Sequence, residues 1–532
     1  MSPFRQLRSW QGRASVAEQA SAAVGAVLVV AVVAWLLVPP TGTGAPASVA
    51  VGGTGAAAGS TGAGGSGSSS SSPGAGALGT GSSTGGGVGS PAGGGAVPAS
   101  GSGGAAGATG AAPSGGGAPV AAGTGAGGCV SPPGGDQGVT QSQIRIAVIL
   151  IQLVGPAANS TFGIPPPATQ QADVQDVVDS INASGGVACR KLVPVFFTGD
   201  PADTSNLQQT CVNIIQAQPF FVVDLGAYYT YPQLAVCYPQ AHIGYVNTGG
   251  LSLSQQRQFY PYDWGLFLYD NLYRDTVFGL KQRGFFSPSS GFRKLGVMYT
   301  SCLPDLPKQF TGWLNQAGVP SSAIVGHDVG CPTAFDSPGD LEQAILTFKQ
   351  QGVTNVTFVH DTADFSNFTT IAQQQGFTPK YGIGDEGIVA ISYGSQKPNY
   401  QNIANAVAIT TYRYGEERTP GYPPGAGTQR CNAIFAAKGQ PPVYQQPIGQ
   451  GGIVCSLLWM VQGAIQHEPS LLRSNVAAGL QASKSVDFSF PYGPNDFSAP
   501  GTSTAGQFWR VDQFLPSCSC WQVVDRNYHP SA

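Results

Sequence analysis

Short apolar runs separated by amphipathic stretches organise the chain from residue 144 onward. The first run, IRIAVIL at 144–150, carries a single charge at Arg145. It is followed by a polar segment at 169–183, the run KLVPVFF at 191–197, a helical stretch at 207–216 and the run FFVVDLGA at 220–227. Strand-length apolar runs that alternate with amphipathic helices are typical of βαβ units with a parallel sheet. Ligands bind such sheets at the loops that follow the strands.

A second series of the same kind begins near residue 269. Its predicted strands are KLGVMYT, AIVGHDV, VTNVTFVHD, KYGIGDEG and NAVAITTY, with helices between them and two late strand candidates, GQFWRVDQF and SCWQVVD. Two βα series predict two α/β lobes whose chain crosses between them several times. Strand ends from both lobes would then line a shared cleft, a common place for small ligands.

The first 128 residues have a different pattern. Residues 20–38 carry no charge and follow three arginines; as a helix they would span roughly 28 Å, enough to cross a membrane. The arginines would keep a tail, residues 1–19, in the cytoplasm and place the rest outside. A long secretory signal is the competing interpretation, because small-residue sites that resemble cleavage sites follow near residue 50. Both interpretations export the remainder of the chain.

Residues 41–128 consist almost entirely of Gly, Ser, Ala, Thr and Pro, and they hold much of the chain's glycine, 76 residues in all. Such a tract buries too little apolar surface to offset its ordering entropy, so we expect it to be disordered. A flexible linker of this length spans roughly 50 Å. It suits a tether between a membrane and a folded domain, although a spacer without mechanical importance fits the composition equally.

Charge and cysteine usage narrow the class of partner and the compartment. The net charge of −3 provides no basic field and argues against nucleic acid. All ten cysteines lie from residue 129 onward without a CxxC pair, and the five histidines are scattered. This spacing favours disulfides in an oxidising compartment over a zinc site, with the connectivity left open. The disulfide candidates are Cys189, Cys211, Cys237, Cys302, Cys331, Cys431, Cys455, Cys518 and Cys520; a metal site at Cys518, Cys520 and His529 is the alternative for that pair.

The sequence offers little support for catalysis. From residue 138 onward it contains no G-x-S-x-G elbow, no H-E-x-x-H and no P-loop. The stretch from Gly382 to Gly387 fits G-x-G-x-x-G, but two acidic residues lie where a dinucleotide pyrophosphate would sit. We therefore expect neither an enzyme nor a resident cofactor or metal.

The order of segments across residues 138 to about 525 resembles type I periplasmic binding proteins of the leucine/isoleucine/valine-binding kind, the solute-capturing subunits of ABC importers. The matching segments are GVTQSQIRIAV, NASGGVACRKLVPVF, GDPADTSNLQQT, FFVVDLGA, KLGVMYT and YGIGDEGI with NAVAITTY. The resemblance implies two parallel-sheet α/β lobes joined by a multi-strand hinge. We expect a first lobe at about 138–262 plus 400–485 and a second at about 263–399 plus 486–532, within a domain spanning 138–532.

The resemblance also implies where a ligand is held. In the first lobe, the loops GAYYTY and YVNTGG would meet the ligand's anionic end, which makes Tyr228, Tyr229, Asn247 and Thr248 the candidates. Packing without ligand contact is the alternative for the two tyrosines. Hydroxyls and backbone N–H groups at helix starts are the groups that bind carboxylates.

In the second lobe, family members that bind amino acids have a loop similar to GDEG, whose Glu receives the ligand ammonium. That residue is Glu386 here, with Asp385 beside it where the family has Pro; a solvated turn carboxylate is the alternative. The family's tyrosine after the strand VTFVHD is missing, and His360, Asp361 and Thr362 take its place. The binding candidates of this lobe are Asp361, Thr362, Asp385 and Glu386.

The function that the resemblance implies is an extracytoplasmic solute-binding protein. It would close two lobes around an amino acid or amide-like molecule and deliver it to an ABC permease. The alternative is a membrane-tethered sensor ectodomain that signals through a partner protein, since the type I fold also serves receptors.

Overall fold

The computed structural model describes residues 135–153, 159–160, 163–228, 232–301, 303–330, 338–359, 362–385, 387–388, 397–468 and 470–531, with only the backbone of 362–364. All of them belong to one compact unit, Ala118–Ala532. The predicted membrane segment at 20–38 and the linker at 41–128 lie outside the described residues. Among the described helices, Pro447–Gln466 is long and apolar enough to cross a membrane. Its most apolar window is 83% buried inside the protein, as in a core helix.

The first series forms a five-stranded parallel sheet in the order β2-β1-β3-β4-β6. Its central strands are apolar on both faces because helices cover both. The strands are β1 Gln143–Ile151, β2 Lys191–Gly199, β3 Phe221–Asp224, β4 Gly244–Asn247 and β6 Asp263–Trp264. The helices are α1 Pro167–Ala183, α2 Thr204–Ala217, the single turn α3 Cys237–Gln240 and α4 Leu253–Phe259. A short pair, β5 Gly250–Leu251 and β7 Phe267–Leu268, leads out of this sheet.

Local signals explain where these helices begin. The Asp203 side chain caps α2 by accepting hydrogen bonds from the backbone N–H groups of Ser205 and Asn206. Ser252 and Gln255 form a reciprocal capping box at the start of α4. Pro167 begins α1, where its missing N–H has no intrahelical partner to lose.

The second series forms a larger sheet with the strand order β9-β8-β10-β11-β12-β13-β14 and β15 paired to β13. The strands are β8 Leu295–Tyr299, β9 Ile324–Asp328, β10 Asn355–Val359, β11 Lys380–Ile383, β12 Val407–Thr410, β13 Phe508–Leu515, β14 Cys520–Val523 and β15 His529–Pro530. The helices are α5 Tyr269–Gln282, α6 Leu306–Gln316, α7 Pro338–Gln351 and α8 Thr362–Gln374. Strands β8 to β12 are parallel, and β13 to β15 are antiparallel.

Three further helices, α9 Ala426–Ala436, α10 Gln450–Gln466 and α11 Val476–Ser483, return to the first sheet. There α9 and α10 pack against α1, and α11 packs against α10. Strand β12 differs from the sequence-based boundaries: it belongs to the range assigned to the first lobe, 400–485, yet it pairs with β11 in the second sheet. Backbone hydrogen bonds decide which sheet a strand belongs to, and the local sequence of β12 does not indicate which strand it pairs with.

The chain thus passes between the two sheets three times within the described residues. Gly265, in the first passage, forms a bridge with Thr504 in the third. Tyr412, in the second, forms a bridge with Tyr492. The Asp270 carboxylate at the start of α5 accepts a hydrogen bond of 2.7 Å from the Leu253 amide. These contacts join the lobes through several adjacent segments, which is the multi-strand hinge predicted from the sequence.

Candidate functional site

The loop after β3 is closed on itself by a buried aspartate. The Asp224 carboxylate accepts hydrogen bonds from the amides of Gly226 at 3.0 Å, Ala227 at 2.7 Å and Tyr228 at 3.1 Å. The Tyr245 hydroxyl, from the neighbouring strand β4, donates a fourth at 2.9 Å. Burial raises the pKa of Asp224, while these four donors favour its charged form. The three amides are therefore not available to a ligand.

The ends of three strands meet beside this loop. Gly226 has φ of +121°, and a Cβ there would lie 3.1 Å from the Thr248 hydroxyl oxygen and 3.2 Å from Ile151. Gly226 therefore allows a close approach that a side chain would block. The ends of β1, β3 and β4 converge on one point, where a parallel sheet is expected to bind its ligand.

Tyr228 is placed differently from the sequence-based expectation. Its side chain is 1% exposed in the core beneath α2. The hydroxyl donates to the Leu207 carbonyl at 2.6 Å and lies 3.0 Å from the Tyr238 hydroxyl. Both contacts are internal, so the packing alternative accounts for Tyr228. Tyr229 lies outside the described residues and stays a prediction.

Asn247 and Thr248 both lie at the point of convergence. The Asn247 side-chain oxygen accepts a hydrogen bond of 2.7 Å from the Gly249 amide, which leaves its NH₂ group without a protein partner among the described residues. The Thr248 side chain is half-buried, and its hydroxyl has no hydrogen-bond partner within the described part of the chain. Of the first-lobe candidates described, these two have polar groups left for a ligand.

In the second lobe, Asp385 also differs from expectation. It follows β11, is fully buried, and both of its oxygens accept hydrogen bonds from β12 and the residue after it. The Thr410 hydroxyl and the Thr411 amide donate to Oδ1, the latter at 2.9 Å, and the Thr411 hydroxyl donates to Oδ2. A carboxylate held this way fixes its own loop against β12. Asp385 is therefore an anchor, and the ligand-contacting role expected for it is not what the structure shows.

The other second-lobe candidates lie at the limit of the described chain. Asp361 and Glu386 are outside the described residues, and Thr362 is described only as the first backbone position of α8. Their roles stay predictions. Gly384 and Gly387, on either side of the Asp385–Glu386 pair, pack closely against Thr276 and Ile383. The anchored aspartate and these glycines are the described residues that flank position 386.

The hinge holds a charge-bearing group that the sequence did not single out. Asp263 lies on β6 directly before the first passage between the lobes and is 4% exposed. One of its carboxylate oxygens has no hydrogen-bond partner among the described residues. Burial raises its pKa to about 8. In a strand of two residues no periodicity exists from which this burial could have been predicted.

The disulfide prediction is confirmed for every candidate that the structure describes. Cys211 in α2 bonds to Cys237 in α3, Cys431 in α9 bonds to Cys455 in α10, and Cys518 bonds to Cys520. Cys189 is also disulfide-bonded, whereas Cys302 and Cys331 lie outside the described residues. The alternative metal site at Cys518, Cys520 and His529 does not form, because the two cysteines are bonded to each other and His529 Nε2 pairs with Asp525 at 2.8 Å.

Comparison by sequence finds no relative: no family model matches the chain, and no curated protein matches it. Comparison of structures finds many proteins of similar fold. The ABC transporter substrate-binding protein from Desulfitobacterium hafniense in complex with Leu has a TM-score of 0.51 at 16% identity, covering 72% of this chain and 100% of that chain.

Two further neighbours have similar statistics. A fatty acid ABC transporter substrate-binding protein from Thermomonospora curvata has a TM-score of 0.53 at 12% identity, covering 75% of this chain and 95% of its own. The branched-chain amino acid transporter substrate-binding protein LivJ from Streptococcus pneumoniae, in complex with isoleucine, has a TM-score of 0.51 at 14% identity. The match covers 72% of this chain and 99% of that chain. Identities this low establish the fold alone. The fold expected from the sequence is confirmed: the described part of the chain has the fold of type I periplasmic substrate-binding proteins.

Proposed function

We propose that this protein is the extracytoplasmic solute-binding subunit of an ABC importer and captures an amino acid or amide-like molecule between its two lobes. The observation that carries the proposal is the convergence of β1, β3 and β4 on the Thr248 hydroxyl, which has no hydrogen-bond partner among the described residues. It supplies a polar group at the position where an open α/β sheet binds ligands. The three neighbours named above are substrate-binding proteins of transporters with the same fold.

The chemistry at this point selects one kind of ligand group. The Thr248 hydroxyl and the Asn247 NH₂ group are the side-chain donors left after Asp224 has taken the amides of its own loop. Donors of this kind bind a carboxylate or an amide oxygen. The neighbours' names mention leucine, isoleucine and fatty acid, all of which carry a carboxylate.

The second lobe would decide between an amino acid and a simple carboxylic acid. Glu386 follows the anchored Asp385, and in our proposal its carboxylate binds the ligand ammonium. A ligand without an ammonium would leave that carboxylate desolvated and unpaired, which costs binding free energy. Closure of the lobes about the hinge would complete the site.

Calorimetric titration of residues 138–532 with leucine, isoleucine, glutamine, an aliphatic amide and octanoate tests the proposal. We expect binding of at least one amino acid or amide. The Glu386→Ala variant should lose at least about tenfold in affinity for an amino acid, since one charge-assisted hydrogen bond is worth about 1.5–3 kcal/mol. Glu342→Ala, at an exposed position of α7, is the matched control. Binding of octanoate alone, or equal affinity in both variants, would contradict the assignment.

The importer role and the sensor alternative differ in what loss of the protein does. Deletion of its gene should abolish uptake of the radiolabelled ligand if it serves a permease. An intact uptake rate combined with a lost transcriptional response to the ligand would instead support the tethered sensor.

A further inference from the structure

A disulfide closes the exposed tip of the β13–β14 hairpin. Leu515 at the end of β13 pairs with Cys520 at the start of β14, and the four residues between them form the turn. Within that turn, Cys518 bonds to Cys520 across one residue, Ser519. Cys518 and Ser519 are exposed and Cys520 is half-buried. An external thiol can therefore reach this disulfide without any part of the domain unfolding.

The other two described disulfides are built differently. Cys431 and Cys455 are fully buried between α9 and α10; in the other pair Cys211 is 4% exposed beneath α3 and Cys237 is half-buried, so neither pair has an exposed cysteine. Their sequence separations are 24 and 26, against 2 for Cys518–Cys520. The stabilisation that a disulfide provides by restricting the unfolded chain grows with the length of the loop it closes. Cys518–Cys520 therefore contributes the least of the three by this mechanism.

The hairpin does not need the disulfide to keep its register. Four pairs, from Asp512↔Val523 to Leu515↔Cys520, join the two strands. Phe514 and Trp521 are 0% and 3% exposed and contact each other with ring centroids 5.6 Å apart. Apolar burial of this kind holds the strands together whether the cysteines are oxidised or reduced.

The backbone at Ser519 adds a further constraint. Its φ is +50°, in the left-handed region that non-glycine residues seldom occupy. Ser519 lies inside the ring that the two cysteines close, and opening the ring would remove that constraint. Exposed disulfides under local constraint are the ones that exchange most readily with thiols.

From the exposure, the short ring and the independently held hairpin, we propose that Cys518–Cys520 is a thiol–disulfide exchange site that accepts electrons from an external dithiol. A thiolate of the dithiol attacks Sγ of Cys518, the Cys518–Cys520 bond breaks, and Cys520 leaves as a thiolate. The second thiol of the dithiol then attacks the mixed disulfide and releases Cys518. Two electrons and two protons pass from the dithiol, which becomes a disulfide, to the cysteine pair.

Attack falls on Cys518 because of its position. Its side chain lies on the exposed turn, whereas Cys520 belongs to β14 and is half-buried beside Leu515. This assignment can be tested separately from the exchange itself.

The test is reduction of the folded exported chain with dithiothreitol, followed by acid quenching, alkylation and mass spectrometry of the cysteine peptides. We expect the 518/520 peptide to be alkylated at least about tenfold faster than the 211/237 and 431/455 peptides, with the circular-dichroism spectrum unchanged. Reduction of all three pairs at one rate would overturn the proposal. So would a 518/520 peptide that stays oxidised until the domain unfolds.

Three variants provide the controls. The double variant Cys518→Ser/Cys520→Ser should lose the fast-reacting thiols and unfold within about 4 °C of the parent, since its short ring contributes little stability. In the single variants, Cys518 in Cys520→Ser should react with a disulfide reagent several times faster than Cys520 in Cys518→Ser. Persistence of the fast-reacting thiols in the double variant would overturn the site, and the reverse order of the single variants would overturn the attack on Cys518.

Discussion

The Tyr245 hydroxyl donates a hydrogen bond of 2.9 Å to the Asp224 carboxylate, which joins the ends of β4 and β3 inside the first lobe. The aspartate is fully buried, and three backbone amides complete its set of donors. This pair sets the shape of the loop whose glycine faces Thr248. The loop is therefore held by contacts within the protein, as preorganised binding requires.

We predict that Tyr245→Phe and Asp224→Ala destabilise the protein to different degrees. Tyr245→Phe removes one donor and leaves three, so we expect a loss of about 1–2 kcal/mol in the free energy of unfolding. Asp224→Ala leaves three amides without an acceptor, and we expect a loss of at least about 3 kcal/mol. Urea denaturation measures both. Tyr444→Phe is the control, because the Tyr444 hydroxyl makes no hydrogen bond among the described residues; equal losses at Tyr245 and Tyr444 would contradict the role of the pair.

The anchor at Asp385 predicts an effect on binding at a distance from the ligand. Thr411→Val removes the hydroxyl that donates to Asp385 Oδ2 and leaves a buried acceptor short of one partner. We expect a loss of about 1–3 kcal/mol in stability and, because the Glu386 loop is no longer held firmly, weaker ligand binding at temperatures well below unfolding. Thr411→Ser keeps the hydroxyl and should restore the affinity. If calorimetry gives Thr411→Val and Thr411→Ser the same affinity for the ligand, the anchor does not position the site.

Asp263 predicts a pH dependence of stability with a definite sign. Its pKa is raised to about 8 by burial, so the folded protein binds this proton more tightly than the unfolded chain. The stability it contributes is fully present below about pH 4, the unfolded pKa, and is lost as the pH rises to about 8. The Asp263→Asn variant, which mimics the protonated carboxyl, should lack this loss, on the order of 2–5 kcal/mol.

The measurement is the difference in unfolding free energy between parent and Asp263→Asn at pH 4 and pH 8. All other carboxyl groups contribute equally to both proteins and cancel. Asp305→Asn, at an exposed position before α6, should show no such divergence. A constant difference across the pH range at Asp263 would show that burial does not raise its pKa in the native state.

The backbone beside two cysteines predicts how the remaining disulfides are paired. The Ser301 amide donates to the Gly330 carbonyl at 2.9 Å. The segment that ends just before Cys302 therefore lies beside the segment that ends just before Cys331. Neighbouring strands at this spacing bring Cα atoms within disulfide reach. We predict a Cys302–Cys331 bond, which leaves Cys129 as the partner of Cys189. Peptide mapping under non-reducing conditions checks both, and a peptide joining Cys189 to Cys302 or Cys331 would contradict them.

The sequence alone determined the class of fold, because apolar runs of strand length and amphipathic helices are local features that every βα unit repeats. It also determined that the cysteines form disulfides, since their number and their spacing without CxxC pairs are visible in one dimension. The order of segments placed the ligand loops after the strands. Thr248 is a ligand candidate from this order of segments, and among the described residues its hydroxyl has no hydrogen-bond partner at the point where three strands end.

Only the tertiary structure decided which way each loop side chain turns. Asp385 and Glu386 are adjacent acidic residues with the same local sequence pattern. The Asp385 side chain points into the protein because the hydroxyls of Thr410 and Thr411 and the Thr411 amide donate hydrogen bonds to it there. Tyr228 turns inward because Leu207 and Tyr238 satisfy its hydroxyl. A buried polar side chain adopts the orientation in which it is hydrogen-bonded, and its partners come from segments distant in sequence.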